Sequence, residues 1–179
     1  MKFLEASKLY TLDKSTYANL RWIAYMGQVF AILIVNFFLK YEFNYIFCLL
    51  VVIISILTNI YLQIKIKENQ LNNIVSTAYL GYDILQLSFL LYLTGGITNP
   101  FIILLIIPAV FSSQYLKIKS SIILVAITIL CLIILTFFYS KLPQPENSHF
   151  YAPEYYLYSI PLSILIGLIF LVYFGAKFG

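Results

Sequence analysis

The sequence predicts an all-α integral membrane protein, a bundle of six transmembrane helices with both termini in the cytoplasm. Hydrophobic residues make up 62% of the 179 residues and charged residues only 10%, whereas about a quarter of a soluble domain is charged. The apolar runs have the length of about 20 residues that a helix needs to cross hydrocarbon. They also lack the alternation of barrel strands, which leaves helices as the spanning element.

The predicted spans divide the chain into a short cytoplasmic segment, residues 1–19, and one transmembrane domain, residues 20–179. The first apolar run is a full span without a cleavage site behind it, so we expect it to remain in the mature protein. No internal repeat or second domain is visible. The six spans are predicted near residues 20–39, 45–64, 73–93, 100–116, 120–139 and 156–176.

Positive charges predict the orientation. Nine lysine and arginine residues lie on one side of the predicted spans, and only Lys40 and Lys141 lie on the other. The positive-inside rule therefore predicts a multi-pass protein of the bacterial inner membrane, and it explains the net charge of +4 without a nucleic-acid partner. Arg21 and Trp22 are expected to anchor the first span at the interface. The nine are Lys2, Lys8, Lys14, Arg21, Lys65, Lys67, Lys117, Lys119 and Lys177.

Residues with catalytic or metal-binding chemistry are sparse. Cys48 and Cys131 lie inside apolar runs and are predicted to be small buried hydrophobic side chains. His149 lies in the loop predicted outside, where Glu146 and Glu154 are its only ligand-type neighbours, so we expect no metal site and no general base there. No catalytic constellation and no phosphate-binding glycine loop occurs. The sequence thus predicts no catalytic residue in this chain.

A polar, turn-rich segment, residues 94–101, interrupts the charge-free stretch between Asp83 and Lys117. Its two glycines permit the positive φ values that end a helix, and a threonine or asparagine can cap the next helix. Pro100 suits the first position of that helix, where no N–H is missed. The residues of this predicted hairpin are Gly95, Gly96, Thr98, Asn99, Pro100 and Phe101.

Two interpretations of this hairpin are open from its residues alone. The helix start offers free N–H groups and a positive dipole end to a carbonyl, with the Asn99 amide, the Thr98 hydroxyl and the Phe101 ring beside it. A quinone head group would suit such an uncharged interfacial site. The same residues also fit a plain turn that joins two spans.

Asp83 is predicted about ten residues before the end of its span, or ~15 Å below the interface. An ionisable group at that depth is a functional hypothesis by default, with Gln86 on nearly the same helix face. A structural role is the alternative, with Asn59, Gln28, Asn36 or a tyrosine as partner. The rival function is a small transporter or channel subunit in which Asp83 binds an ion or proton, although the repeats typical of transporters are not visible.

Residues 95–101, Gly-Gly-Ile-Thr-Asn-Pro-Phe, resemble the G-G-x-x-N-P-F heptapeptide of the RegB/PrrB (ActS) family of redox-sensing bacterial histidine kinases. Further matches agree in order and spacing, so the resemblance covers essentially the whole chain. These matches are residues 20–24 with Gly27 and Gln28 in the first span, and Asp83 with residues 86–87 and 91–93 in the third.

The resemblance implies a six-helix membrane region that senses respiratory state. It implies ubiquinone binding at Gly95, Gly96, Asn99, Pro100 and Phe101, and a signal sent to a cytoplasmic kinase that phosphorylates its own histidine and then a response regulator. A homodimer is the expected assembly. The sequence to residue 179 contains neither a phosphoacceptor histidine, an ATP-binding module nor the family's redox-active cysteine, so we expect a receptor module without catalysis of its own.

Overall fold

The structure is a computed structural model, and the residues that it describes are 11–145 and 152–178. Helices form an all-α bundle, as predicted, and one two-residue β ribbon is added that the sequence pattern does not predict. Lys2, Lys8, Glu146 and His149 lie outside the described residues. In chain order the elements are β1 (Leu12–Asp13), α1 (Lys14–Leu33), a π-helical turn (Ile34–Phe38), α2 (Tyr45–Lys65), β2 (Gln70–Leu71), α3 (Asn73–Leu93), a 3₁₀ turn (Gly96–Thr98), a 3₁₀ helix (Pro100–Ile106), α4 (Ile107–Tyr115), α5 (Ile118–Phe137) and α6 (Glu154–Phe178).

Five of the described helices are long and apolar enough to cross a membrane, and the helix at residues 100–115 is shorter. The first helix begins at Lys14, earlier than the predicted span, because the Asp13 side chain accepts a hydrogen bond from the Thr16 N–H at 2.7 Å and caps it. The fourth span begins as the 3₁₀ helix Pro100–Ile106. A 3₁₀ helix rises about 2.0 Å per residue, which lengthens this short span.

The starts of α1, α3 and α5 meet the ends of α2, α4 and α6 at one end of the bundle. There β1 pairs with β2, the Lys14 ammonium donates to the Ile66 carbonyl at 2.7 Å, and the Lys117 N–H donates to the Asn73 side chain at 2.9 Å. We call this the cationic end because it holds Lys14, Lys65, Lys67, Lys117, Lys119 and Lys177.

The opposite end, called the loop end, holds Lys40, Lys141 and the hairpin between α3 and the 3₁₀ helix. The Ser140 N–H donates to the Tyr92 carbonyl at 2.8 Å, which joins the ends of α3 and α5. The described lysines are thus separated between the two ends as the sequence predicts. That the cationic end faces the cytoplasm stays a prediction of the positive-inside rule.

Two hydrophobic cores hold the bundle together. The larger core joins α3, α4, α5 and α6 with the cationic ends of α1 and α2 and includes Cys131, and the smaller one joins α1, α2 and α3 and includes Cys48. Both cysteines are buried and free, in agreement with their predicted role as small hydrophobic side chains. The smaller core consists of Tyr25, Ile32, Cys48, Val52 and Leu90.

Helix α6 packs closely on α4 at Gly175, where an added Cβ would overlap Ser113 and lie 3.3 Å from the Gln114 side chain. We expect Gly175→Val to cost about 1–3 kcal/mol through overpacking. Gly167→Val on the same helix is the matched control, since nothing lies within 4 Å of a Cβ added there. Thermal melts in detergent should separate the two variants, and equal melting would contradict the close packing of α4 and α6.

Candidate functional site

An ion pair crosses the interior of the bundle between α1 and α3. The Arg21 side chain of α1 lies 3.0 Å from the Asp83 carboxylate through Nη2, and its Nε donates to the same Oδ1 atom at 3.1 Å. Arg21 is 3% exposed and Asp83 is 17% exposed. Asp83 lies near the middle of α3, so a charge that costs several kcal/mol in hydrocarbon is neutralised by a partner at the same depth.

Two tyrosines of α1 complete the coordination of the Asp83 carboxylate. The Tyr17 hydroxyl donates to Oδ2 at 2.5 Å and the Tyr25 hydroxyl donates to Oδ1 at 3.2 Å. Tyr17, Arg21 and Tyr25 are four residues apart, so they project from one face of α1. Both carboxylate oxygens are therefore hydrogen-bonded, as a buried charge requires.

Helix α2 supplies the remaining described hydrogen bond to Arg21. The Thr58 hydroxyl oxygen accepts from Nη2 at 2.8 Å and donates to the Ser55 carbonyl. We call Tyr17, Arg21, Tyr25, Thr58 and Asp83 the ion-pair cluster. Four aromatic rings, with centroids 5.1–5.8 Å from the guanidinium carbon, surround it: Tyr17, Tyr25, Tyr79 and Tyr82.

Gln86 lies one turn from Asp83 toward the loop end and pairs with Gln28 of α1. Gln86 donates to the Gln28 carbonyl oxygen at 3.0 Å, and Gln28 donates back at 3.5 Å. Asn59 donates to the Ala18 backbone carbonyl at 3.1 Å. The predicted tyrosine partner of Asp83 is thus confirmed. The amides of Gln28 and Asn59 instead join α1 to α3 and α1 to α2.

The hairpin at the loop end is built on two left-handed glycines. Gly95 has φ +113° and Gly96 has φ +54°, as the sequence predicts. A Cβ at Gly95 would overlap Leu142, and one at Gly96 would overlap Tyr139 and approach the Leu135 carbonyl to 2.8 Å. Both glycines are thus fixed by conformation and by close contact with the connection that follows α5.

Asn99 caps the next helix, as predicted, and its amide is used inside the hairpin. Its Oδ1 accepts from the Phe101 N–H at 2.9 Å, and its Nδ2 donates to the Thr94 carbonyl at 2.9 Å and to the Thr94 hydroxyl at 2.8 Å. The Thr98 hydroxyl donates to the Gly95 carbonyl at 2.7 Å. Asn99 is only 8% exposed, so its contacts in this structure hold the shape of the loop.

The hairpin and the ion-pair cluster are two separate places. Asp83 and Thr94 are eleven positions apart on and just beyond α3, which corresponds to about 16 Å along a helix. Pro100 and Phe101 are exposed at the surface of the bundle, and 48% of Phe101 is accessible. A lipid-soluble ligand can therefore reach the hairpin sideways without entering the bundle.

Comparisons with known proteins identify the family of this chain. The PilS-like transmembrane domain matches residues 21–178, nearly the whole chain. The chain belongs to this family. It is also 33% identical over 153 residues to the protein "Sensor histidine kinase RegB" of Cereibacter sphaeroides, which covers 85% of this chain and 33% of that protein. No solved structure matches it.

The PilS-like transmembrane domain of this chain spans about a third of that relative's length. The similarity confirms the resemblance to the RegB/PrrB family that the heptapeptide predicts. This similarity and the apolar helices together identify a multi-pass protein of the bacterial inner membrane. The match begins at Arg21, so it covers both members of the ion pair and the whole hairpin.

Arg21 lies in the interior of the PilS-like transmembrane domain and not at the interface where the sequence predicts it. The prediction that it anchors the interface is wrong, because α1 begins two turns earlier and turns Arg21 toward Asp83. The signal was the spacing of Tyr17, Arg21 and Tyr25, which gives one polar aromatic face on the helix. Among the residues that the structure describes, no group of three or more His, Cys, Asp or Glu could hold a metal ion.

Proposed function

We propose that this PilS-like transmembrane domain is the sensor part of a redox-responsive two-component histidine kinase. The observation that carries the proposal is the similarity to a RegB sensor kinase along 85% of the chain. In this proposal a longer protein carries a cytoplasmic kinase, acts as a homodimer, and transfers phosphate from its own histidine to a response regulator. The domain described here contributes detection and relay, and the kinase contributes the chemistry.

The ligand in this proposal is a quinone, with ubiquinone as the first candidate, bound at the hairpin of the loop end. The heptapeptide resemblance supports this assignment, as does the exposure of the Phe101 ring and of Pro100 beside it. Quinones are apolar and reach proteins through the bilayer, so an uncharged surface site with an aromatic ring suits the head group. Gly95 and Gly96 hold the backbone in the conformation that presents this ring.

The two redox forms would act differently on the hydrogen bonds of Asn99. A quinone has only acceptors, so it would need Nδ2 to leave Thr94, whereas a quinol can donate to the second lone pair of Oδ1 without disturbing those bonds. Such a difference in contacts is what a ligand needs in order to shift a conformational equilibrium. The Thr94–Asn99 bonds are therefore the proposed redox-sensitive element.

A route from the hairpin to the end of the chain follows from its packing. Gly95 and Gly96 lie against Leu142 and Tyr139, in the connection between α5 and α6. A change in the hairpin would move this connection and so shift α6 against α4, where Gly175 faces Ser113. The last helix would thus carry the signal to the cationic end.

Binding of ubiquinone to the purified protein in quinone-loaded vesicles, followed through a redox titration, tests the site. We expect Asn99→Ala and Phe101→Ala each to weaken binding about tenfold, since a lost hydrogen bond or aromatic contact is worth about 1–1.5 kcal/mol. Phe174→Ala is the matched control, because Phe174 is 51% exposed near the end of α6, at the cationic end and away from the hairpin. Equal binding by Asn99→Ala and the unchanged protein would contradict a quinone site at the hairpin.

The ion-pair cluster argues against the rival function of a transporter. An ion or proton that binds Asp83 would have to displace Arg21 and two tyrosine hydroxyls from a carboxylate that they already coordinate. Such a site favours a fixed tie between α1 and α3 over repeated loading and release. Flux of protons or cations across the membrane of vesicles that contain the protein would support the transporter function.

A further inference from the structure

The fourth span begins with an unusually long 3₁₀ helix. Pro100–Ile106 has seven residues in this conformation before α4 continues the span, whereas 3₁₀ runs longer than about three or four residues are uncommon because their hydrogen-bond geometry is poorer. A 3₁₀ stretch within a longer helix often marks a hinge or a sequence under strain. Such a segment needs contacts at its ends that hold it in this form.

At the α4 end, Pro108 prevents an α-helical hydrogen bond. In an α-helix the Leu104 carbonyl would accept from the residue four positions on, which is Pro108, and proline has no N–H. The Ile107 N–H, three positions on, donates to this carbonyl instead. Pro108 itself fits the first turn of α4, where no N–H is missed. The proline ring thus imposes the 3₁₀ pattern at this end of the segment.

At the hairpin end, Asn99 holds the segment against the end of α3. The Ile102 N–H donates to the Asn99 carbonyl at 3.0 Å, again three positions apart. The Asn99 Nδ2 donates to the carbonyl of Thr94 at 2.9 Å and to its hydroxyl at 2.8 Å. A 3₁₀ helix rises about 2.0 Å per residue and an α-helix about 1.5 Å, so the segment is about 3.5 Å longer than it would be as an α-helix. The Thr94–Asn99 bonds therefore fix the far end of a stretched segment.

The core accepts α-helical winding of the same residues. The buried side chains along this part of the span are Ile102, Leu105, Ile106 and Ala109, and each is at most 5% exposed. They lie three, four and seven positions from the first of them, which is the spacing of one face of an α-helix. Winding Pro100–Ile106 as an α-helix would thus shorten the segment and leave the same side chains in the core.

We propose that Pro100–Ile106 is a conformational switch, stretched as a 3₁₀ helix while Asn99 is bonded to Thr94 and wound as an α-helix when those bonds break. The far end of α4 is held by the two-residue connection to α5, so winding draws the hairpin toward α4. Phe101 then moves about 3 Å toward the middle of the span, since six residues of the segment shorten by about 0.5 Å each.

The switch needs no ligand, but its role in sensing rests on the proposed function. An oxidised quinone that takes Asn99 Nδ2 away from Thr94 would release the segment, whereas a quinol that leaves those bonds intact would keep it stretched. The two redox forms would then favour different forms of the span, as a signal requires. Because α4 packs on α6 where Gly175 faces Ser113, the change would reach the last helix.

Distances between two spin labels, measured by double electron–electron resonance in vesicles, test the switch. The full chain carries Cys48→Ala and Cys131→Ala, which remove its two cysteines. The labels are attached at Ile103→Cys and Ile118→Cys, whose native side chains are 49% and 70% exposed toward opposite ends of the bundle. Melting curves verify that the labelled protein and its variants fold.

Two substitutions release the stretched form by different routes. Asn99→Ala removes the bonds to Thr94, and Pro108→Ala gives the Leu104 carbonyl an N–H four positions on. We expect each to shorten the mean distance between the labels by about 2 Å, because four residues of the segment lie from Ile103 to the start of α4.

Pro161→Ala is the matched control, because it removes the proline inside α6 and should leave the mean distance unchanged. An unchanged mean distance in either Asn99→Ala or Pro108→Ala would overturn the switch. A broader distribution around the same mean would also overturn it, since fraying of the hairpin and not winding of the segment would then be the response.

Addition of ubiquinone to the labelled protein without further substitutions separates the switch from the quinone site. We expect oxidised ubiquinone to shorten the distance as Asn99→Ala does, and ubiquinol to leave it unchanged. Binding of oxidised ubiquinone without a change in distance would overturn this regulation of the site. Shortening in the two variants without any binding of ubiquinone would support the switch and contradict the quinone site.

Discussion

Asp83→Ala is expected to destabilise the protein by about 3–5 kcal/mol, because it leaves the buried Arg21 charge without its partner. This is a large share of the total stability of a protein, about 5–15 kcal/mol. The two tyrosine hydroxyls that donate to Asp83 would lose their acceptor as well. Thermal melts and denaturant titrations in detergent measure the loss.

A double-mutant cycle of Arg21→Met, Asp83→Leu and their combination separates the ion pair from general packing. The pair of apolar replacements, Arg21→Met with Asp83→Leu, should recover most of the stability, since it removes both buried charges together. A loss below about 1 kcal/mol for Asp83→Ala would contradict a buried pair, because that is the range of a solvated surface salt bridge.

Gly96→Ala is expected to cost about 2–5 kcal/mol and to disrupt the hairpin. Its φ of +54° costs an L residue about 1–2 kcal/mol, and the added Cβ would overlap Tyr139 and crowd the Leu135 carbonyl, which is backbone and yields little. Quinone binding to Gly96→Ala should fall as well if the hairpin is the site. Melting in detergent and the ubiquinone titration measure the two effects separately.

Gly27→Ala is the matched control for this substitution. Gly27 lies inside α1 with a helical φ, and nothing lies within 4 Å of a Cβ added there. Alanine in a helix interior is better than glycine by about 0.5–1 kcal/mol, so this variant should be neutral or slightly more stable. Equal losses for the two variants would show that Gly96 has no special role in the hairpin.

The spans, the hairpin and its cap were predictable because they depend on local properties. Apolar runs of a fixed length predict helices in hydrocarbon whatever their neighbours are. Glycines at positive φ and an Asn-Pro pair predict a turn followed by a helix start from residue type alone. The start of α1 was misplaced because the capping contact of Asp13, and not hydrophobicity, decides it.

The ion-pair cluster was only partly predictable, because pairing depends on how the helices face each other. The sequence marks Asp83 as a costly intramembrane charge, but an arginine near the end of a span fits an interfacial anchor as well as a buried partner. The rotation of α1 against α3 makes Arg21 a buried partner, since it brings Tyr17, Arg21 and Tyr25 to the Asp83 carboxylate. The same packing decides the hydrogen-bond partners of Gln28 and Asn59.

The sequence by itself determined the all-α membrane class, the hairpin with its glycines and capping asparagine, and the resemblance to a family of sensor kinases. Only the tertiary structure decided that Arg21 neutralises Asp83 and that the hairpin rests on the connection that follows α5. The physical reason is distance along the chain. Local hydrogen bonds and hydrophobic length are set within a few residues, whereas these contacts join residues about 40 to 60 positions apart, which only the packing of helices brings together.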